Sequence, residues 1–284
     1  MDGLIIAPCH NESESLKKFN DILLDNLKKI NSNFEILYLN DGSTDDTQDV
    51  IYEICKKNRK INYINFKKNY GKNKILFYTL RYSLDFDFVI LIDSDLQHDP
   101  IYIKDLVNKF KEGKHDTVIG LRKSYKETKV VKFLKKIYFF FCGLSIDQEH
   151  FSDYRLISSK TIKKVVSINI FPPFMRHFLD SLSLRKGFIS IDIRDREYGT
   201  SNFNVFKLII LGLKSIIYLK FKKKKIISLI SFNLLIFIIT FFANNIFYYI
   251  ASTLVSIISF YLITIKILFY KKEIFFYQSS FKKQ

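Results

Sequence analysis

The sequence predicts an α/β fold, a mostly parallel sheet with helices on both faces, followed by a membrane-associated C-terminal segment. Three observations carry this prediction. Over residues 1–203, apolar runs of strand length alternate with amphipathic stretches, the pattern of successive βα units. Three of these runs end in polar residues, at the strand ends where ligands collect in such sheets. Beyond them come two long uncharged apolar runs, Ile226 to Ala243 and Ile246 to Ile265.

Taken in order, GLIIAP is the first strand and precedes a helix from Glu12 to Ile30. FEILYLN precedes a helix from Asp45 to Asn58, and INYINF one from Lys72 to Leu84. FVILID precedes a helix from Ile101 to Glu112, and DTVIG is a fifth strand. The first, second and fourth strands end in Pro8, in Asn40 and Asp41, and in Asp93, so three polar strand ends should meet at one edge.

Composition bounds the function. A hydrophobic content of 48% with only 9 glycines and 4 prolines in 284 residues excludes a disordered or collagen-like chain. Cys9, Cys55 and Cys142 lie far apart without CxxC spacing, which argues against a disulfide framework or a zinc site and fits a reducing compartment. The five histidines, at 10, 98, 115, 150 and 177, show no metal-ligand spacing either. The formal charge is +17, but from Asn204 onward there are twelve lysines and one acid, Glu273, so most of the excess flanks the apolar runs. That distribution points to anionic lipid, not to nucleic acid.

The two apolar runs are each long enough to cross a bilayer as a helix, and only Asn244 and Asn245 separate them. They read as a hairpin whose outer ends, KFKKKK (Lys220 to Lys225) and Lys271 with Lys272, lie on the cytoplasmic side. Met1 to Pro8 lacks the basic region and the apolar length of a signal peptide. Two shorter stretches, Phe133 to Leu144 and Phe206 to Phe221, read as helices lying in the membrane interface. The expected organisation is a cytosolic catalytic domain over 1–203, an interfacial helix with a basic run over 204–225, a transmembrane hairpin over 226–270 and a cytoplasmic tail over 271–284. The expected location is a multi-pass membrane protein with catalytic domain and both termini on the cytoplasmic face.

In FVILIDSDLQHDP, a buried strand runs directly into Asp93 and Asp95. Two carboxylates spaced i and i+2 point the same way if the extended geometry persists, and they repel unless a cation lies between them. Mg²⁺ or Mn²⁺ suits such a pair together with substrate phosphates. A helix cap or Asx turn before Pro100 is the structural alternative, with Asp99 available for that role.

Seven segments occur in the order and at the spacing of a known family: APCHNE, LNDGSTDD, NYGKNKIL, DSDLQHDP, GLRK, SDYRLIS and REYGTSNF. The chain resembles family 2 glycosyltransferases of GT-A fold, and among these the polyprenyl-phosphate group typified by dolichol-phosphate mannose synthase and undecaprenyl-phosphate glucosyltransferases. The resemblance implies that Asp93, Asp95 and Gln97 bind the metal, and that Pro8, Asn11, Glu12, Asp41 and Asp93 cradle the nucleotide-sugar. Lys72 would support that pocket or simply start a helix. Arg122, Arg155 and Arg196 match the family arginines expected to hold the acceptor phosphate, with Arg155 alternatively an ion-pair partner of Asp153. Asp153 would align the acceptor or accept a proton. The sequence departs from the family pattern at Asn40, at Asp153 and Tyr154, and at Asn202.

The implied activity is inverting transfer of a sugar from a UDP- or GDP-sugar to a membrane polyprenyl phosphate, metal-dependent, with a homo-oligomer allowed. A processive polysaccharide synthase of the same superfamily is an alternative that the absence of tryptophan, and so of a QxxRW motif, disfavours. A catalytically silent membrane scaffold is another, disfavoured by the intact Asp93, Asp95 and Gln97.

Overall fold

The computed structural model describes residues 1–123, 136, 151–168, 175–194 and 278–279. The predicted interfacial helices, the transmembrane hairpin and Arg196 lie outside the described residues. Among the described residues no helix is long and apolar enough to cross a membrane.

The βα alternation is realised in order. β1 (Asp2–Cys9), α1 (Ser13–Leu27), β2 (Asn33–Asn40), α2 (Thr47–Lys57), β3 (Ile61–Asn65), α3 (Lys72–Thr79), β4 (Phe88–Leu91), α4 (Ile103–Lys111) and β5 (Thr117–Arg122) are followed by β6 (Phe151–Ser158), α5 (Ser159–Val166), α6 (Met175–Leu182) and β7 (Lys186–Ile191). A two-residue strand, β8 (Gln278–Ser279), closes the series. All belong to one mixed sheet of order β7-β5-β6-β4-β1-β2-β3-β8.

β1 pairs in parallel with both β2 and β4, and β2 with β3, which is the parallel half that the sequence predicts. The other half departs from it. β6 runs antiparallel between β4 and β5, β7 is parallel to β5, and β8 pairs antiparallel with β3.

Strand residues alternate between two buried faces, so the strands read as nearly continuous apolar runs. Ile5, Ala7, Tyr38 and Ile90 pack beneath α1, α2 and α4, with Leu16, Phe19, Ile51 and Leu106. Leu4, Ile6, Leu37 and Val89 pack on the opposite face beneath α3, α5 and α6, with Ile75, Ile162 and Leu179.

Several boundaries shift for local reasons. The predicted helix from Lys72 to Leu84 is α-helical only to Thr79 and tightens to a 3₁₀ turn over Leu80–Ser83. The Thr79 hydroxyl donates to Ile75 O at 2.6 Å and the Ser83 hydroxyl to Leu80 O at 2.5 Å, the back-bonding that bends helix ends. α4 begins at Ile103 because Pro100–Tyr102 forms a 3₁₀ turn capped by Asp99, whose carboxylate accepts from Ile101 N at 3.0 Å. β4 ends at Leu91, two residues before Asp93, where the Ser94 hydroxyl donates to Pro8 O at 2.9 Å.

Candidate active site

The site is built where β4 leaves the sheet and β6 enters it. Leu91 pairs with Arg155 in an antiparallel register. Extended two residues past that pair, the register sets Asp93 across from Asp153. Two carboxylates facing each other repel, and the cation between them comes from the first residue of α3. Lys72 Nζ lies 2.5 Å from Asp93 Oδ1, 2.8 Å from Asp93 Oδ2 and 3.0 Å from Asp153 Oδ2. Arg176, near the start of α6, donates from Nε to Asp153 Oδ1 at 2.9 Å.

The ionisation of Lys72 and of Asp153 is set by the charges around them. Burial alone pulls the Lys72 ammonium down, but Asp153 and Asp93 outweigh it and hold it above its ordinary value. Burial pushes the Asp153 carboxyl up, yet Arg176 and Lys72 hold it well below the usual carboxylate range. A carboxylate so held is a poor proton acceptor, which favours alignment over base catalysis for Asp153.

Around this cluster, Pro8, Leu76, Ile92, Arg155, Met175 and Leu179 complete a cleft with Lys72, Asp93, Asp153 and Arg176. The loops after β1 and β2 adjoin it and are tied together. Asn11 adopts a left-handed conformation (φ 56°), and its side-chain oxygen accepts from Thr44 N at 2.8 Å. Glu12 N donates to the Thr47 hydroxyl at 2.8 Å, and the Glu12 carboxylate accepts from the Ser15 hydroxyl at 2.8 Å.

Asp41 is buried, and its two oxygens accept from Tyr70 N at 2.8 Å and Gly71 N at 2.9 Å. Burial pushes its carboxyl up, and the two amides pull it part of the way back. Asp41 therefore fixes the backbone from which Lys72 projects. Asn40, the departure from the family pattern, accepts from Ser43 N at 3.1 Å and closes the same turn.

The loop after β4 carries the predicted metal ligands. Asp95 is almost fully buried, and its Oδ1 accepts from Gln97 N at 3.2 Å across Leu96, which is left-handed (φ 63°). Asp99 takes the helix cap, while the Asp95 carboxylate closes an Asx turn onto Gln97 N, so the structural alternative is met in part by Asp95 itself. His98 is 5% exposed, and its Nδ1 lies 3.7 Å from Asp93 Oδ2. Burial pushes its imidazole below the ordinary pKa, against the pull of Asp93.

Asp93, Asp95 and Gln97 carry oxygen atoms of the hard type that Mg²⁺ or Mn²⁺ prefers, although no group of three or more His, Cys, Asp or Glu that could hold a metal ion is present among the described residues. Phosphate oxygens and water would complete the shell, as they commonly do for Mg²⁺.

The acceptor-side arginines divide. Arg122 ends β5, half-buried and near enough to His98 for its charge to act on the imidazole. Arg155 is turned inward instead. Its side chain is 1% exposed, Nη1 meets Asp180 Oδ1 at 2.8 Å, and Nη2 donates to Ser152 O at 2.8 Å. Arg155 is thus in an ion pair, but with Asp180 and not with Asp153 as the sequence alternative had it; Asp153 pairs with Lys72 and Arg176. Sequence reasoning missed Arg176, Asp180 and His98. The only signal for the first two was their i, i+4 spacing on one helix, and for His98 its place between Gln97 and Asp99.

Comparison with known proteins identifies the family and the fold. The profile of Glycosyl transferase family 2 matches residues 4–182. An uncharacterized glycosyltransferase of Synechocystis sp. is 30% identical over 208 residues, covering 72% of this chain and 65% of the relative, so the match spans under two thirds of that protein. Bactoprenol glucosyl transferase of Shigella phage SfV is 28% identical over 217 residues, covering 75% of this chain and 70% of the relative. Among solved structures, glucosyl-3-phosphoglycerate synthase from Mycobacterium tuberculosis, in complex with Mn²⁺ and UDP-glucose, superposes with a TM-score of 0.55 at 17% identity, covering 76% of this chain and 77% of that one. S. aureus TarS 1-349, in complex with UDP-GlcNAc, gives 0.52 at 17% identity, covering 79% and 69%. These two likenesses concern the fold, which is of GT-A type. With a family profile matching over more than half of its length, the chain belongs to glycosyl transferase family 2.

Proposed function

We propose that the protein transfers a sugar from a nucleotide-sugar to a membrane polyprenyl phosphate, with inversion at the anomeric carbon. The observation that carries this reading is the charge cluster at the β4 exit and β6 entry. Lys72 and Arg176 flank Asp93 and Asp153, so a donor diphosphate approaching Asp93 and an acceptor phosphate approaching Arg176 would meet at one place.

In this reading Pro8, Asn11, Glu12 and Asp41 shape the donor side, and Asp93, Asp95 and Gln97 hold Mg²⁺ or Mn²⁺. When bound, the divalent ion supplies neutralisation of the negative charge that grows on the leaving diphosphate. Arg176, Arg122 and Arg196 hold the acceptor phosphate, and Asp153 keeps Arg176 aimed at it. The acceptor oxygen forms its bond to the anomeric carbon as the bond to the nucleotide diphosphate breaks, the leaving group keeping the electron pair. A phosphate monoester is already mostly ionised near neutral pH, so no strong base is required, in keeping with the ionised Asp153.

The lipid acceptor is supported by the similarity to bactoprenol glucosyl transferase and by the lysine-flanked apolar runs. The proposed location is correspondingly the membrane, with the catalytic domain and both termini on the cytoplasmic face. The test is a panel of UDP- and GDP-sugars offered to the purified chain with undecaprenyl or dolichyl phosphate, lipid products being read by mass spectrometry. A lipid-linked sugar that disappears in EDTA and drops by roughly 10² or more in Asp95→Ala is expected. Nucleotide binding without any lipid product from any donor would refute the acceptor, and full activity in EDTA would refute the metal.

A further inference from the structure

Lys72 makes short contacts to both carboxylates of the site, and they have a consequence for how the site is loaded. Its Nζ lies on both oxygens of Asp93, at 2.5 and 2.8 Å, the place a cation chelated by that carboxylate would take. We infer that Lys72 is a resident counter-ion that must leave Asp93 before a divalent ion can bind there, so that metal and nucleotide diphosphate load together and the ion alone binds poorly. This rests on the reading of Asp93 and Asp95 as metal ligands and adds the order in which that site fills.

The argument is electrostatic. An ammonium and a divalent ion on the same carboxylate oxygens repel strongly, so the ion gains Asp93 only by displacing Nζ. An incoming ion without nucleotide therefore exchanges one ion pair for another. A diphosphate changes the balance, because its oxygens offer Nζ a new anionic partner beside the one it keeps on Asp153, at 3.0 Å.

The geometry permits the move. The Lys72 side chain is 33% exposed, so the stem can swing without breaking core packing. Asp41 clamps the amides of Tyr70 and Gly71, so the exchange is a rotation of the side chain and not a shift of α3.

The experiment measures Mn²⁺ binding, not turnover. The 284-residue chain, purified in detergent, is titrated with Mn²⁺ while free ion is followed by electron paramagnetic resonance, with and without UDP or GDP. Lys72→Met and Lys72→Gln are compared with Lys74→Met, which removes the same charge from the same helix without touching Asp93. The wild type should bind Mn²⁺ weakly alone and more tightly with nucleotide. Both Lys72 variants should bind Mn²⁺ alone roughly tenfold more tightly and lose most of the nucleotide effect. Lys74→Met should stay within about twofold of wild type, since a screened charge acts weakly at that range.

Equal tightening in Lys72→Met and Lys74→Met would overturn the inference by reducing it to a general field effect. Unchanged binding in both Lys72 variants, with nucleotide-dependent Mn²⁺ binding that Asp95→Ala abolishes, would overturn displacement and leave the metal site standing. Failure of every form to bind Mn²⁺ even with nucleotide would remove the metal site and the inference with it.

Discussion

Replacing Asp180 by alanine should destabilise the protein severely, although Asp180 lies beneath the cleft. Arg155 and Asp180 meet at 2.8 Å with side chains 1% and 2% exposed. Among the described residues, the guanidinium otherwise reaches Ser152 O at 2.8 Å and Arg176 O at 3.5 Å. Losing the carboxylate leaves a buried cation with two backbone carbonyls for solvation. Breaking one side of such a pair costs about 3–5 kcal/mol, and the two carbonyls place this case near the lower end, about 3 kcal/mol. For a domain of this size, that corresponds to a fall of about 6–12 °C in the unfolding midpoint.

Asp180→Asn keeps an acceptor and should lose about half as much. The double variant Arg155→Met with Asp180→Leu removes both charges and should return to within about 1 kcal/mol of wild type. Thermal unfolding followed by circular dichroism reads all three. If Asp180→Ala costs under about 1 kcal/mol, or the double variant is as unstable as Asp180→Ala, the buried pair is not what holds Arg155. The double variant also separates packing from chemistry. Retained KM for lipid phosphate would place Arg155 outside the acceptor contacts, whereas a large rise would return it to them.

Three further outcomes are expected. Asp116 is buried and paired with Arg185 at 3.1 Å; burial pushes its carboxyl up, but the hydrogen bonds and charge of Arg185 win and lower it. A depressed folded pKa means its stabilisation is complete above the unfolded value near 3.9 and is lost as pH falls through the folded value, so Asp116→Asn should flatten the acid limb of a stability-versus-pH curve without steepening it above pH 6. Gly42 has φ +63°, and a Cβ there would lie 2.2 Å from Lys68 C, so Gly42→Ala should cost about 2 kcal/mol or more and weaken UDP or GDP binding by displacing the segment that Asp41 clamps; an unchanged melting curve would contradict this. For the proposed hairpin, single cysteines at Asn245 and Gln284, in a background lacking Cys9, Cys55 and Cys142, should label in intact cells and only after permeabilisation, respectively; reaction of the Gln284 site in intact cells would refute the cytoplasmic tail.

The parallel half of the fold is readable in the sequence because each of its strands is a compact apolar run followed at once by an amphipathic stretch. GLIIAP, FEILYLN and FVILID are buried on both faces, so their composition alone declares them. β6 and β7 give no such signal. SDYRLIS carries Asp153 and Arg155 within the strand, and KGFISI is an edge strand with Phe188 exposed, so neither forms an apolar run. Their place in the sheet depends on pairing with β5, a non-local fact that no window of sequence contains.

The same division explains the site. Pro8, Asp41 and Asp93 sit at the ends of parallel strands, where the chain leaves a buried run for a polar loop, and are visible there from local pattern. The other side of the cleft is assembled by β6, whose antiparallel register brings Asp153 across from Asp93, and by α6, which delivers Arg176 to Asp153 and Asp180 to Arg155. Asp153 and Arg155 were therefore ambiguous in sequence for one reason. In SDYRLIS the residues at positions 153 and 155 project from the same face of the strand, so each reaches α6, but Asp153 lies at the open end and Arg155 a further two residues into the core. That offset gives the inner position a structural ion pair and leaves the outer one, with Lys72 and Arg176, facing the cleft.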